Sequence, residues 1–436
     1  MTVRAIALIL ASALTLFVTS LAHAQAAADT QLCTSGRWLP PRPLRTHDGY
    51  TIIAARTSVL PFEGKTLLAT WPLRTSDSVG HIVYPLAPGL TAPIAPEQLA
   101  MGALADSDGV SRLIPAPHEL AVYAMHFEAS RDEAGVVHAL FGSDDSMPVT
   151  SMIALRSLWY THLEGQRWTV PERILTTDGK VMFAPAMRSP IVTRGRTLHA
   201  VVAMEGEGLR YLRRERDDWT NRHIDIPPTM MGFPRLAALR TGRLALIVQA
   251  GREHPRTSSM SSVDVSWSDD DGAHWTRPRR ISDSTEEPVY DLQLFADERD
   301  VLYAFWFQQT DSTGNPALHV ALGGSPGRIH AAQSTDGGVS WRHSPPSTLL
   351  ANATDLQLLL LPHHTALAVT ADLRDERIVS LTWSGRWSQP ELIDAKPQPF
   401  NPSLGLGGAQ RPVLVWGITR RPDWTISMMA TYVPCR

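Results

Sequence analysis

Six short apolar runs recur along the chain: VVHALFG (136–142), TLHAVVAM (197–204), RLALIVQ (243–249), VLYAFWF (301–307), TALAVTA (365–371) and PVLVWGI (412–418). Each is rich in Val, Leu or aromatic residues and is bounded by Gly, Asp or Pro, which reads as a strand. A less regular apolar run precedes each, FPRLAAL and FNPSLGL among them, so the strands come in pairs. Five further stretches each join a β-branched or aromatic run to a tight polar turn, a Trp and often a Pro, and they place tryptophans at 168, 219, 275, 341 and 387. Convincing helical periodicity is scarce. A repeat of about 45 to 65 residues belongs to ring-like arrays rather than helical solenoids. Four strands per repeat is the pattern of a β-propeller blade.

Strand pairs fall near residues 67, 137, 198, 244, 302, 366 and 413. Seven blades in an all-β, single-domain chain is therefore the expectation. The first unit joins TLLATWP to GHIVYPL and lacks the Trp hairpin. The last unit stops one strand short. CTSGRWLPP (33–41) resembles SGRWSQP (384–390), so the N-terminus is expected to supply the missing outer strand.

Two of the turns are spaced alike: SDDDGAHW carries Ser268, Asp270, Gly272 and Trp275, and STDGGVSW carries Ser334, Asp336, Gly338 and Trp341. Asp and Ser side chains bond backbone amides of their own turn, Gly adopts a backbone angle other residues avoid, and Trp is left to pack between sheets. Each Asp is expected to hold buried backbone donors, so the motif reads as a staple and not as a metal site. This S-x-D-x-G-x-x-W pattern resembles the Asp-box, or BNR, repeat of the sialidase superfamily, with EGQRW, RDDW and SGRW as degenerate copies. The resemblance covers most of residues 118 to 433. It implies a propeller, with six blades as the alternative count if the first unit is an insertion.

Composition adds a destination. Arg4, the apolar stretch from Ala5 to Leu21 and the small-x-small site Ala22-His23-Ala24 form a secretory signal peptide over residues 1–24. The mature chain, 25–436, is expected to be secreted or periplasmic, with no later segment apolar enough to span a membrane as a helix. The formal net charge of −3 gives no basic footprint for nucleic acid. All but three of the forty basic residues are Arg, which makes any single Arg less informative as a ligand. Cys33 and Cys435 are the only cysteines. In an exported chain an even pair predicts a disulfide, the alternative being two free thiols. Two sulfurs without a His cluster make a poor zinc site. The bond would close the ring where an Asp-box turn sits in other blades, and in the loop-entropy view would stabilise by roughly 4 to 5 kcal/mol.

Loops joining second to third strands share a face with the blade-to-blade connections, and the Asp-box turns lie on the other face. Candidate functional loops are therefore 142–146, 205–208, 251–259, 308–316 and 372–377, with His47, Asp48, His118, Arg235, Glu286, Glu287, Tyr290 and Asp291 on the connections. The sialidase resemblance implies an arginine clamp for a substrate carboxylate, an acidic acid/base and a Tyr–Glu nucleophilic pair. The residues of this chain that fit are Arg235 and Arg252 for substrate, and Glu205, Glu253, Tyr290 and Asp311 for catalysis. Sialidases carry an Arg-Ile-Pro motif near the start of the fold. The nearest run here, Arg112-Leu113-Ile114-Pro115, has an extra residue. That departure keeps open a second reading, a non-catalytic propeller that binds a glycan or a cell-envelope protein. His126 and His138 alternate within strand-like runs and read as buried or face-lining. No cofactor or metal is implied, and a monomer is expected.

Overall fold

Seven blades of four antiparallel strands follow one another in the computed structural model, inner strand to outer, and Arg45–Thr46 adds a parallel edge outside Val110–Pro115 in blade 1. The structure describes residues 36–46, 57–76, 81–83, 99–115, 124–143, 154–155, 157–176, 182–183, 191–204, 208–226, 232–251, 260–283, 287–310, 325–372, 376–394, 399–420 and 424–433. Second strands run through Lys65–Ser76, Val137–Ser143, Thr197–Met204, Leu244–Gly251, Leu302–Gln309, Thr365–Asp372 and Pro412–Arg420. The inner strands touch their neighbours in a closed cycle, Ser58–Phe62 meeting both Ala124–Arg131 and Pro399–Leu406. Among the described residues there is no α-helix, only a one-turn 3-10 segment at Pro362–His364.

The apolar pattern follows from this geometry. A second strand is sandwiched between two neighbouring blades, so both of its faces are buried and it reads as a continuous apolar run. Leu302–Gln309 shows this: Leu302, Ala304 and Trp306 join the core shared with blade 4, while Tyr303, Phe305 and Phe307 join the core shared with blade 6. There are seven such cores, one per junction. Outer strands are mostly exposed, as in Asp218–Ile224. The hairpin tryptophans fill the junctions. Trp219 meets Tyr160 of the preceding blade at 5.3 Å, Trp275 meets Tyr211 at 5.8 Å, and Trp387 meets Phe305 at 5.9 Å, all edge-on. Burying a ring of this size contributes about 1.5–3 kcal/mol.

The ring closes as the sequence suggests. Arg37–Trp38 and Arg42–Pro43 pair with Trp424–Val433, so the N-terminal segment forms the outer edge of blade 7. Trp38 takes the junction position, 5.2 Å from Tyr432, and its indole N–H donates to Ser380 Oγ of blade 6 at 2.9 Å. Cys33 and Cys435 lie outside the described residues. Blade 1 differs from the sequence reading in one respect. Its third strand is Leu99–Ala105, paired with Lys65–Ser76, and the described part of GHIVYPL, His81–Val83, pairs as a short extension. The small residues of LAMGALA let the strand pack closely: a Cβ on Gly102 would sit 3.0 Å from Leu68 O.

The two S-x-D-x-G-x-x-W turns connect third to fourth strands. Ser268 Oγ, buried, accepts from the Gly272 amide at 2.9 Å and donates to Asp270 Oδ1 at 2.8 Å. Asp270 in turn accepts from the exposed His274 amide at 2.9 Å. Ser334, Asp336, Gly338 and Ser340 repeat the network at 2.8, 2.7 and 2.9 Å. The buried donor thus belongs to the serine, and the aspartate braces the outside of the turn, which corrects the expectation that Asp holds the buried amides. A second turn type is also repeated. Asp106, Asp132 and Asp297 each accept the amide four residues on, at 3.0, 2.7 and 2.9 Å, and the residue before that amide has positive φ (Gly109, Gly135, Asp300).

Candidate functional site

Five of the inner strands carry the same irregularity. In blades 2, 4, 5, 6 and 7 two inner-strand residues oppose one residue of the second strand: His126-Phe127 opposite Phe141, Phe233-Pro234 opposite Val248, Asp291-Leu292 opposite Trp306, Asp355-Leu356 opposite Thr370, and Asn401-Pro402 opposite Trp416. Such bulges end regular pairing and re-aim side chains. Each chemistry here suits one. Asp tolerates the left-handed region, and Asp291 and Asp355 sit at φ 51° and 53°. Pro lacks a ladder donor and is confined to places such as bulges. All five lie toward the face of the blade-to-blade connections, opposite the S-x-D-x-G-x-x-W turns.

Polar groups are buried at that same end of the second strands. Gln249, Gln308, Gln309, Thr370 and Asp372 are all at most 5% exposed. The Gln249 amide donates to the Val289 carbonyl, tying blade 4 to the inner strand of blade 5. Asp291 Oδ2 accepts from the Leu356 amide at 3.0 Å, joining the bulges of blades 5 and 6. Arg377 Nη2 lies 3.3 Å from Asp372 Oδ2. Polar satisfaction across blades rigidifies this end of the ring.

Of the expected site residues, Arg235 and Tyr290 are described and sit on the inner strands of neighbouring blades 4 and 5. Arg235 is half-buried, and its Nη1 donates to the Pro234 carbonyl of its own bulge at 2.9 Å. Tyr290 packs against the core of blades 5 and 6. Burial, and then the Asp291 carboxylate beside it, push its phenol up to about 12. Glu205, Arg252, Glu253 and Asp311 lie outside the described residues, each directly beyond a second strand of blade 3, 4 or 5. Arg112 is exposed on Val110–Pro115, the outer strand of blade 1, far from any central clamp. His138 is buried, with Nδ1 2.8 Å from Tyr160 Oη and Nε2 3.3 Å from Asp132. Among the described residues no group of three or more His, Cys, Asp or Glu is placed to hold a metal. The sequence reading missed the bulges, although FPRLAAL and FNPSLGL carry their signal, a proline within a strand.

No family model matches the chain, and no curated protein matches it by sequence. Solved structures do. The chain is similar to a protein of unknown function from Dyadobacter fermentans, with TM-score 0.50, 14% identity, and 72% of this chain and 95% of that one covered. It is similar to an ulvan lyase from a new polysaccharide lyase family, with TM-score 0.52, 8% identity, and 90% and 95% covered. A looser overlap is with a sialidase from Trypanosoma rangeli, at TM-score 0.42 and 11% identity over 76% and 56%. At these identities the likeness is one of fold: this chain is a seven-bladed β-propeller.

Proposed function

We propose that this propeller is a carbohydrate-active protein, exported to the periplasm or beyond, that engages an acidic glycan on its bulge-bearing face. The observation that carries the reading is the recurrence of five bulges at one end of the inner strands, where carboxylate, amide and hydroxyl groups are buried together. Cross-blade bonds such as Gln249 to the Val289 carbonyl and the Leu356 amide to Asp291 make this end of the ring a rigid frame on which a hydroxyl-rich ligand can be held. The S-x-D-x-G-x-x-W turns, which resemble those of the sialidase superfamily, and the overlap with a polysaccharide lyase agree with it. If the protein is a hydrolase of sialidase type, Arg235 and Arg252 take the carboxylate, Tyr290 with Glu205 or Glu253 forms the nucleophilic pair, and Asp311 is the acid/base. The departure of Arg112-Leu113-Ile114-Pro115 from the Arg-Ile-Pro motif, with Arg112 exposed on an outer strand, favours the second reading, a propeller that binds glycan without cleaving it.

The test is a screen of the purified protein against fluorogenic glycosides, sialosides included, and against uronate-containing polysaccharides. Release of fluorophore or of unsaturated uronate marks catalysis. Retardation in polysaccharide-containing gels without product marks binding alone. Neither retardation nor turnover across the panel would overturn the carbohydrate reading.

A further inference from the structure

Leu350–Leu361 serves two blades. Its first residues pair with the third strand of blade 5 through Gly327↔Leu350 and Ser325↔Ala353, and its remainder is the inner strand of blade 6. The chain thus crosses from the rim of one blade to the centre of the next in a single strand. It leaves a pocket of about 300 Å³ against the second and third strands of blade 6. Small-molecule sites begin at about this volume.

The lining is of two kinds. Thr370, Val379 and Asp372 are buried in its wall, and Arg377, 42% exposed, pairs with Asp372 from the surface. At the mouth stand Leu349 and Leu392, which are 52% and 57% exposed although large and apolar. The ion pair is neutral as a unit, so the pocket favours neither free anion nor cation: an anion meets Asp372 and a cation meets Arg377. What it offers is a carboxylate acceptor beside a guanidinium donor, with two exposed leucines on the same lining. Adjacent hydroxyls of a sugar ring match a paired acceptor and donor, and the C–H face of the same ring covers apolar side chains.

We propose that this pocket is a subsite for one neutral sugar ring of the glycan. The inference rests on the reading of a carbohydrate ligand, and adds where one unit of it sits and of what charge. A ring of about a dozen heavy atoms binds at about millimolar strength.

The experiment is saturation-transfer and chemical-shift titration of the full folded chain with methyl glycosides of glucose, galactose, mannose, xylose and rhamnose. At least one is expected to bind. Asp372→Asn should weaken it by about ten- to hundredfold, because a charged acceptor is lost. The double variant Leu349→Ser, Leu392→Ser alters exposed positions only, so it keeps the fold even where Asp372→Asn does not, and it should also weaken binding. Melting curves accompany both. A glycoside that binds wild type and both folded variants equally sits elsewhere, and the proposal fails. If no glycoside binds while a polysaccharide is bound or cleaved, the subsite is wrong and the carbohydrate reading stands. If nothing binds in either screen, both fail.

Discussion

Gly272→Ala and Gly338→Ala make the same change at the same position of two copies of one turn, and the structure separates their effects. Both glycines have positive φ, +79° and +98°, so each alanine carries the left-handed penalty of about 1–2 kcal/mol. Their surroundings differ. A Cβ on Gly272 falls 2.1 Å from Cε1 of Tyr211, far inside the contact distance of about 3.5–4.0 Å. That ring cannot turn aside, since it is fully buried in the junction of blades 3 and 4 and its hydroxyl lies 2.6 Å from His199 Nδ1. A Cβ on Gly338 meets nothing closer than Leu302 Cδ1 at 3.6 Å, an ordinary contact. Overpacking adds about 1–3 kcal/mol at the first site only. Gly272→Ala should therefore lose about 2–5 kcal/mol and Gly338→Ala about 1–2. Urea unfolding of both variants beside wild type, with slopes compared, measures the difference. In a Tyr211→Ala background the Gly272→Ala loss should shrink to that of Gly338→Ala. Equal losses for the two alanines in the wild-type background would refute the reasoning, because backbone angle alone would then account for both.

Ser268→Ala should destabilise by about 1–3 kcal/mol, because it strands the buried Gly272 amide. Asp270→Ala removes the acceptor of the Ser268 hydroxyl, the exposed His274 amide and the His274 ring but leaves the buried Gly272 amide held by Ser268, so it should lose less; neither should alter ligand binding in folded protein, and paired urea midpoints and the glycan screen check this. Burial raises the Asp336 carboxyl, but hydrogen bonds from the Ser340 hydroxyl and amide outweigh it and hold the group at about 2. A depressed folded value gives stability that is present above the ordinary value of about 3.9 and is lost as pH falls toward 2, so Asp336→Asn should flatten the acid limb of a urea-midpoint-against-pH curve. Burial, and then Arg194, lower His199 to about 4, and burial lowers His330 to about 4. Both rings should stay neutral in imidazole NMR titrations through pH 5, and stability should fall as pH drops below about 6.5, where the unfolded chain takes up protons first. A Cys33–Cys435 bond should appear in non-reducing peptide maps of exported protein; two free thiols there would rule it out.

Strand pairs were legible because a strand buried on both faces must be apolar throughout, and the hairpin tryptophans because most junctions are filled by a large ring. The seven-blade count followed from those pairs. Blade 1 was read less well, since Leu99–Ala105 is mostly alanine, glycine and leucine and carries no β-branched signal. The inner-strand bulges were missed because each spans only two residues and uses a different pair, Phe233-Pro234 here and Asp291-Leu292 there. The turns at DSDGV, DEAGV and DERDV were missed for a related reason: Asp300 stands where Gly109 and Gly135 do, which breaks the pattern while keeping the backbone angle. At the candidate site, residue type placed Arg235 and Tyr290 on adjacent inner strands. The start of a strand made packing against a neighbouring blade the expectation for Tyr290, but nothing in the sequence showed that the Arg235 guanidinium bonds its own bulge, because that depends on backbone set by the ring.

The N-terminal edge strand has a bearing on how the chain folds. The Gly36 amide donates to Tyr432 Oη at 2.9 Å across 396 residues of sequence, and Arg37 pairs with Val433. The strands at Arg37–Trp38 and Arg42–Pro43 have no strand to pair with until the last one has been made, so six blades can form while the seventh waits. The entropy of joining such distant ends grows only slowly with length, but the search for them is slow. Through that interval Val59 and Leu68 of blade 1, and Leu367 and Val369 of blade 6, face an unfilled gap with their apolar sides exposed. Those two surfaces are where a stalled or truncated chain would aggregate, and where a chaperone would hold it until the ring shuts.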